Sequence, residues 1–226
     1  MSNAAKQAQA ALRSQILHGD LPGDMRVTES SAAASLGLSR TPVRAALSAL
    51  EGEGLLIKLP GRGYSVRSFR QEDMAKAAQV RSVLEGLAAS RVAAQGPSAE
   101  VVAAIEGSLH TSSILINKTT LGSEDFKAYQ GANEVFHQTL IQACNNPFVG
   151  LGLEKIQGIP IVAPGAFSEM EGTAEAKAQR LFVGHSQHVV IWDAIKSGDA
   201  IRAENMMREH ALAPVRYAEL FLGGSQ

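Results

Sequence analysis

Residues 35–47 read SLGLSRTPVRAAL, and the fold of the first third of the chain turns on them. Ser39 sits where a helix N-cap is wanted. Pro42 falls in the first turn, where its missing N–H costs little. Val43, Leu47 and Leu50 then form one apolar stripe through about Glu53, and Gly54 ends the helix. Arg40 and Arg44 are one turn apart, so they project together from the opposite face. Upstream, TESSAAASLG reads as a shorter helix capped by Thr28 and stopped at Gly37. Before it, residues 4–18 carry Leu12, Ile16 and Leu17 on one stripe and stop at the turn HGDLPGD. After it, LLIKLP and GRGYSV predict a β-hairpin with Pro60, Gly61, Arg62 and Gly63 at its tip.

Helix, short turn, helix and hairpin is the order of a winged helix-turn-helix, whose second turn helix enters the major groove with its N-terminal residues. Arginine is the best single reader of guanine, because its fork donates two parallel hydrogen bonds to O6 and N7. Ser39 and Thr41 add hydroxyls at a helix start, where phosphates bind. The glycines of the hairpin tip let backbone approach DNA closely and offer Arg62 to phosphate or minor groove. Charge agrees in sign. Residues 1–70 hold 9 Lys and Arg against 5 acids, whereas residues 71–226 hold 12 against 17, although the whole chain nets −1. A solvated helix face with incidental arginines remains open on charge alone.

From residue 71 the pattern changes to long helices, expected at about 71–95, 98–118, 123–145, 147–157, 173–197 and 199–221. IPIVAP (159–164) is apolar but interrupted by proline, and reads as a buried connection. The fold class expected is mainly α: a winged helix-turn-helix with a small hairpin wing over residues 1–70, then an all-helical bundle over 71–226, joined near Ser68–Asp73. With 226 residues, 45% of them hydrophobic, both parts can bury a core. No apolar run approaches the ~18 residues of a membrane span. The start MSNAAKQAQA lacks a signal-peptide core. The one cysteine, Cys144, allows no intrachain disulfide and reads as a small buried apolar residue, so a cytoplasmic setting is expected.

The second part holds the other candidate chemistry. GANEVFHQTL puts Asn133 and His137 at i and i+4 on one helix face. His188 lies in GHSQHVVIWDAI, and His210 follows 22 residues later in MMREHALAPV. A helix that doubles back brings those two side by side. Three imidazoles and one oxygen suit a divalent transition metal such as Zn, Ni or Mn. Three unrelated histidines on helix surfaces is the alternative, and the spacing does not separate the two. An open position on such a metal also suits water activation. No general base accompanies it, since Glu134 points about 100° away from Asn133. Arg81 and Glu85, in RSVLE, are either an exposed i,i+4 pair or an inward arginine.

The run from Leu12 to Val66 strongly resembles the N-terminal domain of the GntR family of bacterial transcription regulators. ILHGDLPGD, SRTPVRAAL, GEGLL and GRGYSV carry the resemblance in order. It implies DNA contacts from Arg40, Thr41 and Arg44, with Gly61 at the wing tip. Ser30 stands where many members have an arginine, which leaves a hydroxyl for phosphate. Residues 75–215 look like the helical effector domain, of the FCD type, of the FadR-like branch, through VRSVLEGLAA, NEVFHQTLIQACNNP and HVVIWDAIKSGDAIRAENMMREH. In that branch an Asp or Asn and three His hold a metal. The ligands implied here are Asn133, His137, His188 and His210, with His185 outside the pattern. Asn133 stands where many members have Asp, and Gly184 and Gln187 where relatives often carry charge. The resemblance favours an inward Arg81 that grips a carboxylate, with Ser82, Asn117, Gln138 and Arg180 as further polar candidates. The function implied is a homodimeric repressor of a palindromic operator, answering to a small organic acid. The other regulator-class readings are a metal-free regulator that holds its effector through Arg81 and polar groups, and a DNA-binding protein with a purely structural bundle.

Overall fold

Alanine spacing and a few large aliphatic residues set the packing of the first unit. The computed structural model describes residues 1–17, 19–61, 63–68, 71–156 and 173–216. Helix α1 (Asn3–Leu17) buries Ala5, Ala8, Leu12 and Ile16, three or four residues apart, and packs on α3 (Arg40–Gly52). Between them, α2 (Glu29–Leu36) opens with a capping box: the Thr28 hydroxyl accepts from Ser31 N–H, and Ser31 Oγ accepts from Thr28 N–H. It closes on Gly37 at φ 64°. Val43, Ala46, Leu47 and Leu50 of α3 are fully buried in one core with Leu12, Leu55 and Val66. Ser39 does take the N-cap position, with extended backbone, but its hydroxyl makes no cap hydrogen bond.

The wing has three strands where the sequence predicts two. β2 (Leu56–Lys58) and β3 (Tyr64–Val66) form the expected antiparallel hairpin, with Ile57 opposite Ser65. β1 (Arg26–Val27) adds to the other edge of β3. Two residues are too few to show an alternation, so the sequence reads them as turn. What forms the strand is its partner: Val66 N–H donates to Met25 C=O, and Asp24 N–H to Val66 C=O. Gly63, at φ 114°, lies so near Val27 that a Cβ there would meet its carbonyl oxygen at 3.0 Å.

The second unit is helical among the described residues. It comprises α4 (Gln71–Gln95), α5 (Ala99–Ile116), α6 (Ser123–Ala143), α7 (Pro147–Glu154), α8 (Ala174–Lys196) and α9 (Ala200–Arg216). Helix α4 spans the range expected from periodicity, and α5, α6, α7 and α8 end one to three residues inside theirs. Ser98 and Thr173 accept N-cap hydrogen bonds, and Asp125 accepts from Gly122 N–H at 2.9 Å. Cys144 caps the end of α6, and Asn145 turns left-handed at φ 52°. The Cys144 thiol is buried and donates to Ile141 C=O. Packing joins α5 with α6, α8 with α9, and α5 with α8. Residues 1–74 and 154–156 make one compact unit, and residues 75–153 with 173–216 belong to the other, so the first turn of α4 and the last residue of α7 count with the first unit. Arg62, residues 69–70, the stretch 159–164 and the expected helical turn at 217–221 lie outside the described residues. Among the described residues, no helix is long and apolar enough to cross a membrane.

Candidate functional sites

The start of α3 and the wing enclose one groove in the first unit. Its lining includes Arg26, Glu29, Ser30, Arg40, Arg44, Lys58 and Gly61. The fold thus gathers Ser30, Arg40, Arg44 and Gly61 from three separate segments. Ser39 and Thr41 are exposed at the start of α3 but do not line this groove. Two further cations, Arg26 of β1 and Lys58 of β2, escape a reading of the sequence because neither belongs to a helix pattern. Glu29 escapes it too. Its carboxylate takes two hydrogen bonds from Arg44, Nε to Oε1 at 2.7 Å and Nη2 to Oε2 at 2.9 Å. Arg40 Nη2 adds a third at 3.1 Å. Hydrogen bonds from Arg44, with help from Arg40, bring the Glu29 carboxyl down to about 2. A two-point contact through Nε and one Nη fixes the plane of the Arg44 guanidinium and leaves Nη1 directed elsewhere.

The second unit brings three imidazoles together from three helices. His137 of α6 and His188 of α8 are buried, and His210 comes from α9. Their Nε2 atoms converge: His188 to His210 is 3.0 Å, and His210 to His137 is 3.2 Å. Phe136 stacks on the His188 ring at 4.0 Å and meets His137 edge-on, which holds both rings in place. Burial, reinforced by the neighbouring imidazoles, holds the basicity of His188 well below its ordinary value. Burial does the same for His210.

The far nitrogens decide the tautomers. His210 Nδ1 lies 2.9 Å from Gln187 Oε1, an acceptor, so Nδ1 carries the proton. His137 Nδ1 faces Glu85 Oε2 at 3.3 Å, and neither atom has another hydrogen-bond partner. That again puts the proton on Nδ1. The Nε2 atoms of His137 and His210 therefore present lone pairs to each other at 3.2 Å. Two lone pairs at that distance repel unless a cation lies between them. The donor set fits a borderline divalent metal, with a carboxylate and an amide orienting its ligands from behind. Asn133 is buried one turn before His137 on the same face, where its amide oxygen is the fourth donor implied by the sequence.

Arg81 is paired with Glu85, but the pair is buried, which overturns the exposed i,i+4 reading of the sequence. Its Nε donates to Glu85 Oε1 at 2.9 Å, with both side chains buried. Burial works against the Glu85 charge, yet Arg81 and then His137 outweigh it and hold the carboxyl below its usual range. The sequence names Glu85 only as a partner for Arg81; its place behind His137 is what a reading of the sequence misses. His185 is half-buried on α8, and burial lowers its basicity. Gly184 and Gln187 have positive reasons to be uncharged. A Cβ at Gly184 would meet Tyr129 Oη at 2.7 Å, and Gln187 holds His210.

Comparison with known proteins agrees with both halves. The model of "Bacterial regulatory proteins, gntR family" matches residues 4–66, and that of the FCD domain matches residues 76–213. A probable D-xylose utilization operon transcriptional repressor of Paenarthrobacter nicotinovorans is 29% identical over 214 residues, 94% of this chain and 87% of that one. The HTH-type transcriptional repressor GlaR of Escherichia coli is 23% identical, with 95% of each chain covered. The solved structure of E. coli McbR/YncC has the same fold, with a TM-score of 0.67 at 19% identity over 93% of this chain and 94% of that one. These relatives are regulators rather than enzymes. Two domain matches in this order, on a winged helix-turn-helix followed by a helical bundle, place the chain in the GntR family of DNA-binding transcription regulators, in its FadR-like branch with an FCD domain.

Proposed function

We propose that this regulator is a homodimeric repressor whose hold on a palindromic operator is set by a small carboxylate at a divalent metal in the second unit. The observation that carries the reading is the convergence of three Nε2 atoms, His188 to His210 at 3.0 Å and His210 to His137 at 3.2 Å. His137, His188, His210 and Asn133 would hold the ion, Zn, Ni or Mn. Bound there, the metal supplies a Lewis-acidic position for an acid's oxygen. Arg81, buried and hydrogen-bonded to Glu85, adds positive charge to the same region and is the arginine we assign to the effector's second oxygen.

At the operator, Arg40, Thr41 and Arg44 would read and grip the major groove. Ser39 and Ser30 would meet phosphates, and Gly61 with Arg62 would form the wing contact. One winged helix spans few base pairs, so a two-fold dimer is needed for a long site. Val80, Val83 and Leu87, spaced i, i+3, i+7 on α4, leave an exposed apolar stripe that we assign to the second copy. Regulation requires that the acid favour one arrangement of the two DNA-binding units over another.

Elemental analysis of purified protein tests the metal half, with His137→Ala alongside. We expect near-stoichiometric metal in the wild type and loss in the variant. No metal after reconstitution, or equal metal in both, would sink it. The effector half is then read as operator release on adding organic acids to the metal-loaded protein.

A further inference from the structure

We infer that Glu29 is a positioning residue for base reading: it holds Arg44 by one edge of the guanidinium and so presents the other fork, Nη1 with Nη2, to a guanine. The inference rests on the reading of Arg44 as a major-groove contact. A guanidinium has two forks that fit a pair of acceptors, Nε with one Nη and the two Nη together. Glu29 takes the first, through Nε at 2.7 Å and Nη2 at 2.9 Å. Each bond uses one N–H. Nη2 keeps its second and Nη1 keeps both, so Arg44 can hold the carboxylate and a base at once. O6 and N7 of guanine are the paired acceptors that the second fork matches.

The clamp is itself held. Glu29 is the first residue of α2, directly after Thr28, whose capping box with Ser31 fixes that helix start. Arg40 Nη2 reaches the same carboxylate from one turn earlier on α3. The side chains of Glu29 and Arg44 are 24% and 64% exposed, so their contact adds little to folding. What it sets is direction. A loose arginine turns to phosphate, which carries no sequence, as readily as to a base. One ordered before DNA arrives loses less rotamer freedom on reading the base. Among the described residues that line the groove, Glu29 is the one acid, beside Arg26, Arg40, Arg44 and Lys58. Its charge weakens the pull on phosphate. Glu29 therefore exchanges attraction for any DNA for discrimination at one base pair.

The test uses the full chain, with random-sequence duplex DNA as the probe. Selection by the wild type returns preferred sites, and competition by duplexes changed at one position gives the preference there. Arg44→Lys keeps the charge and loses the fork, so the guanine it ceases to prefer is the one Arg44 reads. We expect the wild type to prefer that guanine by about tenfold or more, and to lose as much when 7-deazaguanine, which lacks N7, replaces it. Glu29→Gln removes the charge. Glu29→Asp keeps it, on a side chain one methylene too short to hold both nitrogens. Both variants should cut the two factors to about threefold or less, with preferences at other positions and thermal melting unchanged. If either variant keeps the guanine preference within about twofold of the wild type's, or if preferences fall alike at every position, the positioning is wrong while the reading by Arg44 stands. If Arg44→Lys alters no base preference, both fall.

Discussion

Both units of this regulator are built around a glutamate that holds arginine, and the two pairs live in different solvents. In the first unit Glu29, with 24% of its side chain exposed, holds Arg44 and Arg40, which are 64% and 61% exposed. In the second, Glu85 holds Arg81 with 3% and 6% exposed. The contacts are alike in length, 2.7–3.1 Å. What differs is what each can be exchanged for. Water or a nucleic acid can replace Glu29 as the partner of Arg44 at little cost, because all of these groups stay hydrated. Glu85 and Arg81 are buried, so water does not take over from either partner.

The largest effect should therefore come from the inner pair. Glu85→Ala removes a buried carboxylate from beside both Arg81 and the His137 ring, and we expect it to destabilise the second unit by about 3–5 kcal/mol. Metal affinity in whatever remains folded should fall by roughly 10–100-fold, since the orienting partner of a ligand is gone. Urea unfolding and zinc titration read the two separately. A loss below about 1 kcal/mol would mean that the pair is not the buried anchor its exposure indicates.

The outer pair should act on DNA and leave folding alone. Arg44→Ala should weaken operator binding by roughly 10–100-fold with an unchanged melting temperature and unchanged metal uptake. Glu29→Gln is the sharper variant. It removes a negative charge from the DNA face, so affinity for unrelated DNA should rise. It also removes the anchor of the Arg44 plane, so the ratio of operator to unrelated binding should drop. A rise in both by one factor would leave Glu29 a mere screening charge. Acid gives a further check. The Glu29 carboxyl lies at about 2 in the folded chain, below its ordinary 4.5. What it contributes to the folded unit is thus fully present above about pH 4.5 and is lost as pH falls toward 2. Between pH 5 and 8 the clamp should not titrate.

How far the sequence alone reaches follows the same division. The recognition helix is legible because every signal in it is local: an N-cap position, a proline in the first turn, a stripe of Val43, Leu47 and Leu50, and two arginines on the other face. The long helices of the bundle are legible for the same reason, to within a few residues at their ends. The three histidines can be named as candidates from the i,i+4 relation of Asn133 to His137 and from two helices that double back. Their convergence cannot, because three helices must first be packed. Residues whose role is to hold another side chain are the ones missed. Glu29 acts through Arg44, 15 positions away, and Gln187 through His210, 23 away. Strand β1 is missed on the same principle, since its bonding belongs to β3.

The two helix starts of the first unit carry the comparison down to its smallest term. Thr28 and Ser39 look interchangeable in sequence, each a hydroxyl residue with extended backbone before a helix. In the structure Thr28 is committed: its hydroxyl takes Ser31 N–H at 3.0 Å and the box closes in return. Ser39 makes no such bond, because the position that corresponds to Ser31 is Pro42, which has no N–H to give. The orphan N–H groups at the start of α3 are thus left to something outside the chain, and a phosphate is the natural acceptor. Thr28→Ala should lower stability by about 1 kcal/mol and leave the salt dependence of DNA binding as it was. Ser39→Ala should leave thermal stability nearly unchanged and weaken operator and unrelated DNA by one common, small factor. Equal stability losses in the two variants would show that Ser39 caps its helix after all, and the division between a hydroxyl spent on the fold and one kept for DNA would fail.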